Sequence, residues 1–186
     1  RLGFLGVISQ RKGALSLFEA LDPVASAPNA PTFTLRIAGE AQDDEGRQIL
    51  AEIHRRFEDR PWWPQVEWLG WISDPRAFLN SLDLLVAPSI AFDPFPTVLL
   101  ESGFAGVPSL ACRVGGVEEI VRHQETGWIY DSGDQDQFSE WLDRAIRRPD
   151  QLREMGDRAA RRVRADFSIG EMVDHYTHLY QSLRAS

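Results

Sequence analysis

Two carboxylates with seven residues between them, Asp93 and Glu101, have the types and spacing that point most directly to chemistry in this sequence. Asp93 lies in a proline-rich stretch, and Glu101 lies about one turn into the apolar helical pattern that follows it. The first turn of a helix has backbone N–H groups without intrahelical partners, so it binds anions. Flanking carboxylates accept hydrogen bonds from hydroxyl groups. Phosphate in the middle with sugar on either side is the arrangement of a nucleotide-sugar, and the segment predicts a site for such a ligand.

The elements that must position these residues alternate along the chain. Short, nearly continuous apolar runs are typical of parallel strands covered on both faces, and helical patterns separate them. The predicted strands are residues 2–8, 33–38, 66–69, 82–87, 108–112 and 128–130. The predicted helices lie near residues 13–26, 44–59, 75–81, 97–105, 117–123 and 135–147. This alternation predicts the α/β class with an open, doubly wound parallel sheet.

The ends of these strands indicate where a ligand would lie. In doubly wound sheets the ligand occupies the carboxyl ends of the strands, so we expect the site in the loops that follow Ile8, Ala38, Leu69, Ala87 and Cys112. Two further helices are predicted after Pro149, at residues 151–165 and 168–183. The last one repeats apolar residues at helical spacing, so we expect it to have a burial face.

The composition limits the classes of function. The chain has 186 residues, of which 43% are hydrophobic, and this is enough for one domain with its own core. The formal net charge of −8 argues against a general nucleic-acid binder, which needs a basic face. The single cysteine, Cys112, cannot form an internal disulfide and is expected to be a buried apolar residue. No apolar run has the length of a membrane span and no signal peptide is visible, which predicts a cytoplasmic protein.

A basic tract near the end of the chain has two interpretations. It consists of Arg144, Arg147, Arg148, Arg153, Arg158, Arg161, Arg162 and Arg164. Acidic residues are interspersed among these arginines, so we interpret the tract first as an ordinary helix surface. The second interpretation is contact with an anionic membrane, which would place the protein at the inner face of that membrane. We interpret Glu171, His175 and His178 as a solvated helix face, so no metal site is predicted.

A series of short motifs, in a fixed order, resembles a known enzyme family. The first half of the series is Gly6-Val7-Ile8-Ser9-Gln10-Arg11-Lys12-Gly13, Ile37-Ala38-Gly39-Glu40, Trp68-Leu69-Gly70-Trp71-Ile72, Ala87-Pro88-Ser89 and residues 93–101. The second half is Ala105-Gly106-Val107-Pro108, Gly115-Gly116-Val117-Glu118-Glu119, Gly127-Trp128-Ile129, Ser132-Gly133-Asp134 and Phe167-Ser168. These motifs are similar to those in the C-terminal half of the retaining group 1 glycosyltransferases, also called family 4, which have the GT-B fold. The similarity covers essentially the whole chain.

This resemblance implies a domain organisation and a ligand. Residues 1–186 would form the nucleotide-sugar donor-binding domain, a Rossmann-like half of a GT-B enzyme, and the N-terminal acceptor domain of the same chain would be absent. The substrate would be a nucleotide-diphosphate sugar, bound without a metal or another cofactor. In the family the terminal helix crosses back to the N-terminal domain, so part of the apolar face of the last helix would lack its partner. The fragment by itself is expected to be inactive.

The resemblance also assigns roles to individual residues. Lys12 matches the lysine that neutralises the diphosphate leaving group, and Asp93 matches the carboxylate that contacts the transferred sugar; these are the two catalytic candidates. Glu101 matches the glutamate that binds the ribose of the nucleotide. The other donor-binding candidates are Phe95, Thr97 and Val98 at the sugar and pyrophosphate, Gly39, Trp71 and Ile72 near the base, and Gly6 in the first loop.

Three residues depart from the family pattern. Asp93 replaces a glutamate, Pro96 replaces a glycine and so removes one amide donor, and Val7 stands where the family commonly has an arginine. Either Arg11 substitutes for that arginine, or the site relies on Lys12 and the helix dipole. These departures give weight to one alternative, a non-catalytic module that binds nucleotide-sugars. The other alternative is a GT-B nucleotide-sugar epimerase, and the segment from Asp93 to Glu101 argues against it because that signature belongs to transferases.

Three of the candidate features also have a purely structural interpretation. Asp93 before Pro94 is a common turn residue. Trp71 fits a place in the core as well as it fits stacking on a base. Gly115-Gly116 permit close approach of the backbone to a ligand, and a turn with positive φ explains them equally well.

Overall fold

Six parallel strands form one sheet in the computed structural model, which describes residues 1–184. The strands are β1 (Leu2–Leu5), β2 (Leu35–Ala38), β3 (Val66–Gly70), β4 (Leu84–Ala87), β5 (Ser109–Cys112) and β6 (Gly127–Tyr130). Their order in the sheet is β3-β2-β1-β4-β5-β6. The helices are α1 (Ala14–Ala25), α2 (Asp44–Phe57), α3 (Pro75–Asn80), α4 (Thr97–Phe104), α5 (Val117–Ile120), α6 (Gln135–Arg147), α7 (Pro149–Asp166) and α8 (Ile169–Arg184). The predicted α/β class and doubly wound parallel sheet are confirmed.

The sheet is buried on both faces, which explains why its strands read as continuous apolar runs. In β4, Leu84 and Val86 belong to one hydrophobic cluster, whereas Leu85 between them belongs to the other. Helices α1, α2 and α6 cover the first face, to which Phe18 and Phe138 contribute fully buried rings. Helices α3, α4 and α5 cover the second face. The helices that follow β1 and β4 therefore leave the sheet on opposite sides.

Most predicted boundaries agree with the structure within two residues, and two do not. Strand β1 ends at Leu5 and not at Ile8, because the chain turns at Gly6, where φ is +153° and the carbonyl group is packed against Gly39. Helix α5 ends at Ile120 and not at 123, because Val121 is extended and His123 then forms an isolated bridge to Gly127. In both places the element ends where its backbone contacts a neighbouring segment. The apolar pattern of the sequence contains no signal of that contact.

The apolar face of the last helix is not buried within this chain. None of the residues of α8 is buried, and Met172, Tyr176 and Tyr180 are each more than half exposed. Within the described residues 1–184 the apolar face is therefore uncovered, which agrees with the expectation that part of it lacks its partner. The polypeptide that would cover this face in a longer protein stays a prediction.

The arginine tract serves mainly as a helix surface with structural contacts. Arg147, Arg158 and Arg162 each pair with an acidic residue four positions away. Arg164 donates from Nη2 to the carbonyl oxygen of Phe104 at the end of α4. This agrees with the first interpretation of the tract, and membrane contact stays a prediction. None of the helices within residues 1–184 is long and apolar enough to cross a membrane.

Candidate functional site

The loops after β1 and β4 meet at the point where the sheet changes winding direction. These strands are neighbours, but α1 and α4 leave on opposite faces, which opens a crevice at the carboxyl ends of the strands. The β1–α1 loop (residues 6–13) and the β4–α4 loop (residues 88–96) are in contact below this crevice. The backbone N–H of Ile90 donates to the carbonyl oxygen of Arg11 at 3.0 Å. Gly13, with φ +71°, packs so closely on the carbonyl group of Pro88 that a Cβ atom would overlap it.

The crevice contains a lysine and a carboxylate that face each other. Lys12 Nζ lies 3.8 Å from Asp93 Oδ2, and about a quarter of each side chain is exposed (23% and 24%). The other carboxylate oxygen, Asp93 Oδ1, accepts the backbone N–H of Phe95 at 3.2 Å. Asp93 is therefore both a turn residue and a charged group aimed at Lys12, so its two interpretations are compatible. The structure thus brings together the two residues predicted to be catalytic.

A pair of glycines in the loop between β5 and α5 packs against the backbone of Asp93 and Pro94. Gly116 donates its N–H to the carbonyl oxygen of Asp93 at 3.0 Å. A Cβ atom on Gly115, where φ is +55°, would overlap the same carbonyl group, and one on Gly116 would overlap that of Pro94. The small size of these glycines is therefore required by contact with the β4–α4 loop as well as by the turn.

The start of α4 presents amide donors beside this pair. Thr97 is the first residue of the helix, and Pro96 precedes it without an N–H group. Within residues 1–184, neither Thr97 nor Val98 has an acceptor for its backbone N–H, whereas the Leu99 N–H bonds to the carbonyl oxygen of Pro96 at 3.0 Å. Phe95, just before the helix, is 41% exposed. Free amides at a helix start and a nearby lysine form an arrangement that stabilises an anion.

A second group of predicted residues lines a cavity of about 260 Å³ at the ends of β1, β2 and β3. It contains Gly6, Gly39, Trp71 and Ile72, together with Glu40. The Trp71 side chain is 71% exposed, so the interpretation of this tryptophan as a core residue is wrong. Glu40 Oε1 accepts the backbone N–H of Trp71 at 3.1 Å and so fixes the loop that carries the indole. Glu40 was not among the predicted site residues, although its place directly after the second strand is a signal that could have identified it.

Glu101 lies in a different cavity. Its side chain is exposed on α4 and lines a space of about 770 Å³ between α3 and α4, which Arg76 and Arg164 also line. The structure does not bring Glu101 into the 260 Å³ cavity of Gly39 and Trp71, but Pro75 lines both spaces. The two cavities therefore adjoin, and together they extend from the end of β2 to the side of α4.

Two further expectations concern cysteine and metal. Cys112 is fully buried, and burial raises the pKa of its thiol, which makes it the small apolar residue that was expected. Within residues 1–184, no three His, Cys, Asp or Glu side chains are grouped so that they could hold a metal ion.

Comparison with known proteins gives the family. The family model described as glycosyl transferases group 1 matches residues 1–162. The chain belongs to the group 1 glycosyltransferases. This glycosyltransferase domain is 28% identical, over 178 residues, to the lipopolysaccharide core biosynthesis glycosyltransferase LpsE of Rhizobium meliloti, a match that covers 96% of the chain and 48% of LpsE.

Solved structures have the same GT-B, Rossmann-like fold as this glycosyltransferase domain. A crystal structure of Anabaena HepE in complex with UDP superposes with a TM-score of 0.85 at 22% identity, covering 97% of this chain and 48% of HepE. The C-terminal domain of a group 1 glycosyl transferase family protein, LpcC of Francisella tularensis, superposes with a TM-score of 0.79 at 20% identity, covering 90% of this chain and 86% of that domain. The chain therefore spans about half the length of LpsE and of HepE.

Proposed function

We propose that residues 1–186 form the donor-binding domain of a retaining, family 4 glycosyltransferase, which transfers a sugar from a nucleotide-diphosphate sugar to an acceptor. The observation that carries the proposal is the Lys12–Asp93 pair in the crevice between the β1–α1 and β4–α4 loops, beside the free amides of α4. This pair combines a cation for phosphate with a carboxylate for sugar hydroxyls. The family assignment and the UDP bound to HepE support the same ligand class.

Each charged group is assigned one role in this proposal. Departure of the diphosphate needs fixed positive partners, and Lys12 and the N–H groups of Thr97 and Val98 would supply them. Asp93 Oδ2 would accept hydrogen bonds from hydroxyls of the transferred sugar once the diphosphate takes over Lys12. Glu101 would bind the ribose hydroxyls, since a carboxylate accepts two of them in charge-assisted bonds.

The base would occupy the neighbouring cavity. Gly6, Gly39 and Ile72 line it, and the exposed Trp71 indole offers a stacking surface. Lys12 and the start of α4 already provide positive charge to the diphosphate, which supports binding without a metal cofactor. The acidic net charge argues against nucleic-acid partners. A cytoplasmic location is part of the proposal, and the arginine tract leaves contact with the inner face of a membrane as a secondary proposal.

The acceptor site would lie in another domain. The chain spans about half of LpsE and HepE, and the LpcC domain that it resembles is itself described as C-terminal. These lengths support an N-terminal acceptor domain as the partner that completes the active site. The donor domain alone would then bind the nucleotide-sugar but not transfer the sugar.

The experiment that tests this function is a donor panel on the full-length protein. UDP-, GDP- and ADP-sugars are incubated with the protein and a metal chelator, with water as the acceptor. NMR follows the release of nucleoside diphosphate and, before mutarotation, the anomeric configuration of the released sugar. Turnover with retained configuration is the expected result. Recovery of the donor with one inverted carbon would indicate the epimerase, and binding of a donor without turnover would indicate the non-catalytic module.

A further inference from the structure

The corner between α7 and α8 contacts the β4–α4 loop through an aromatic pair. The ring centroid of Phe167, which follows α7, lies 6.0 Å from that of Phe95, and the two planes are inclined by 51°. Phe95 is the residue whose backbone N–H bonds to Asp93 Oδ1. Tilted aromatic rings at this distance attract each other. The Phe167 ring therefore supports the residue that orients the Asp93 carboxylate.

The same corner reaches Asp93 by a second route, through Arg162 on α7. The side chain of Arg162 is only 15% exposed, and its guanidinium donates to the carbonyl oxygens of Ile120 at 3.2 Å and Glu119 at 2.6 Å. These carbonyl groups belong to α5, which begins directly after Gly116. Gly116 in turn donates its N–H to the Asp93 carbonyl oxygen.

Arg162 also joins the two routes. Its Cζ atom lies 5.6 Å from the ring centroid of Phe167, within the range of a cation–π contact. Neither side chain is among those that line the 260 Å³ cavity or the 770 Å³ cavity. Phe167 and Phe95 together line a further cavity, of about 620 Å³, on the side of the β4–α4 loop. With respect to the 260 Å³ and 770 Å³ cavities, Phe167 and Arg162 act through the β4–α4 loop.

We propose that Phe167 and Arg162 are positioning residues that hold the β4–α4 loop in the shape that receives the diphosphate and the transferred sugar. Phe167 fixes the loop through Phe95, and Arg162 fixes it through α5 and Gly116. The identity of the ligand rests on the proposed function, whereas the mechanical link from the corner to Asp93 does not.

Amide hydrogen exchange of the free chain tests the link without any ligand. In Phe167→Leu, which removes the ring, exchange of the Phe95 N–H accelerates by roughly two- to tenfold, the equivalent of one lost aromatic contact. In Arg162→Lys, which keeps the charge but loses the fork, exchange of the Gly116 N–H accelerates as well. Phe167→Tyr keeps the ring and the wild-type rates. The Trp71 N–H, bonded to Glu40, is the internal reference that stays unchanged.

A matched variant separates the corner from a general effect of α8. Tyr180 is 63% exposed on α8, and its ring contacts only that of Tyr176 among the aromatic pairs of residues 1–184. Tyr180→Leu removes an aromatic ring from the same helix region and leaves the exchange of Phe95 and Gly116 unchanged. Equal acceleration in Tyr180→Leu and Phe167→Leu would overturn the inference.

Calorimetric titration with UDP, GDP and ADP, and with the corresponding nucleosides, tests the consequence for the ligand. Phe167→Leu weakens the affinity for the nucleoside diphosphate by a similar factor, roughly two- to tenfold. Its affinity for the nucleoside stays unchanged, since the proposed positions of base and ribose are in the other cavities. A variant that merely lowered the stability of the chain would weaken the affinity for diphosphate and nucleoside alike, and that result would overturn the inference. Unchanged exchange rates would overturn it as well. If the wild-type chain binds none of the nucleotides, the proposed function fails, and the exchange rates alone decide whether the corner holds the loop.

Discussion

Lys12 and Asp93 make opposite contributions to the affinity for a nucleoside diphosphate, although they form one ion pair. Lys12→Gln removes the cation that would face the phosphates and weakens binding. Asp93→Asn removes a negative charge from the same crevice and frees Lys12 from its partner, so it strengthens binding of the diphosphate. The amide side chain that this second variant introduces keeps an oxygen that can accept the Phe95 N–H, so the turn is preserved.

The magnitudes follow from the geometry of the pair. At 3.8 Å two unit charges attract each other by about 1 kcal/mol in water and about 4 kcal/mol at an effective dielectric of 20. About a quarter of each side chain is exposed, and measured pairs near the surface contribute about 0.2–1 kcal/mol. Release of Lys12 by Asp93→Asn should therefore tighten diphosphate binding up to about fivefold. Loss of a hydrogen bond to a charged group is larger, about 1.5–3 kcal/mol, so Lys12→Gln should weaken binding roughly ten- to hundredfold.

Isothermal titration of the two variants with UDP, GDP and ADP measures these changes. Arg11→Gln is the control, since Arg11 neighbours Lys12 in sequence but is exposed. If the position of the charge rather than the net charge matters, the affinity of this variant for the nucleoside diphosphate should stay within about twofold of wild type. Weakening by both Lys12→Gln and Asp93→Asn would refute the assignment of opposite roles. A loss in Arg11→Gln as large as in Lys12→Gln would show that Arg11 substitutes for the missing family arginine.

Three further changes have expected outcomes. Glu101→Ala should weaken nucleotide and nucleoside alike by roughly tenfold or more while the melting temperature stays unchanged, because the side chain is exposed; unchanged affinity would exclude the ribose role. The Ile129 N–H donates to His123 Nδ1 at 2.9 Å, and burial lowers the pKa of His123 below its ordinary value of 6.5. The contribution of His123 to the free energy of unfolding should therefore be fully present above pH 6.5 and be lost as the pH falls to the folded-state pKa. Urea unfolding of His123→Gln should lack this part of the decline. Gly133 has φ +84° and open space around it, so Gly133→Ala should lose about 1–2 kcal/mol of stability. Gly115→Ala should lose about 1–3 kcal/mol more, because its Cβ atom also overlaps the β4–α4 loop; equal losses would contradict that contact.

Local signals in the sequence predicted the elements well. The helix predicted near residues 75–81 begins at Pro75, and the Asp74 side chain before it accepts the Ala77 N–H at 2.9 Å. The apolar runs predicted six parallel strands because each is covered on both faces. The meeting of Lys12 and Asp93 depends on β1 and β4 being neighbours, and strand order is a long-range property that the runs themselves do not contain.

The features that the sequence did not predict depend on contacts between distant segments. Strand β1 ends early because Gly39 approaches Gly6, and neither glycine reveals this approach in its own neighbourhood. The sequence left Trp71 open between a place in the core and stacking on a base; the indole is exposed, and the bond from the Trp71 N–H to Glu40 in the distant β2–α2 loop is not visible in the sequence around Trp71. The apolar period of α8 predicts a buried face but cannot say which polypeptide covers it, and within residues 1–184 that face is exposed.

The central claim, that the crevice at the change of winding direction binds a nucleoside diphosphate, is tested most directly by calorimetric titration of the wild-type chain with UDP, GDP and ADP without added metal. The account predicts saturable, one-to-one binding of one of the three, which would also name the base of the donor. Absence of binding by all three, with the chain shown to be folded, would contradict it.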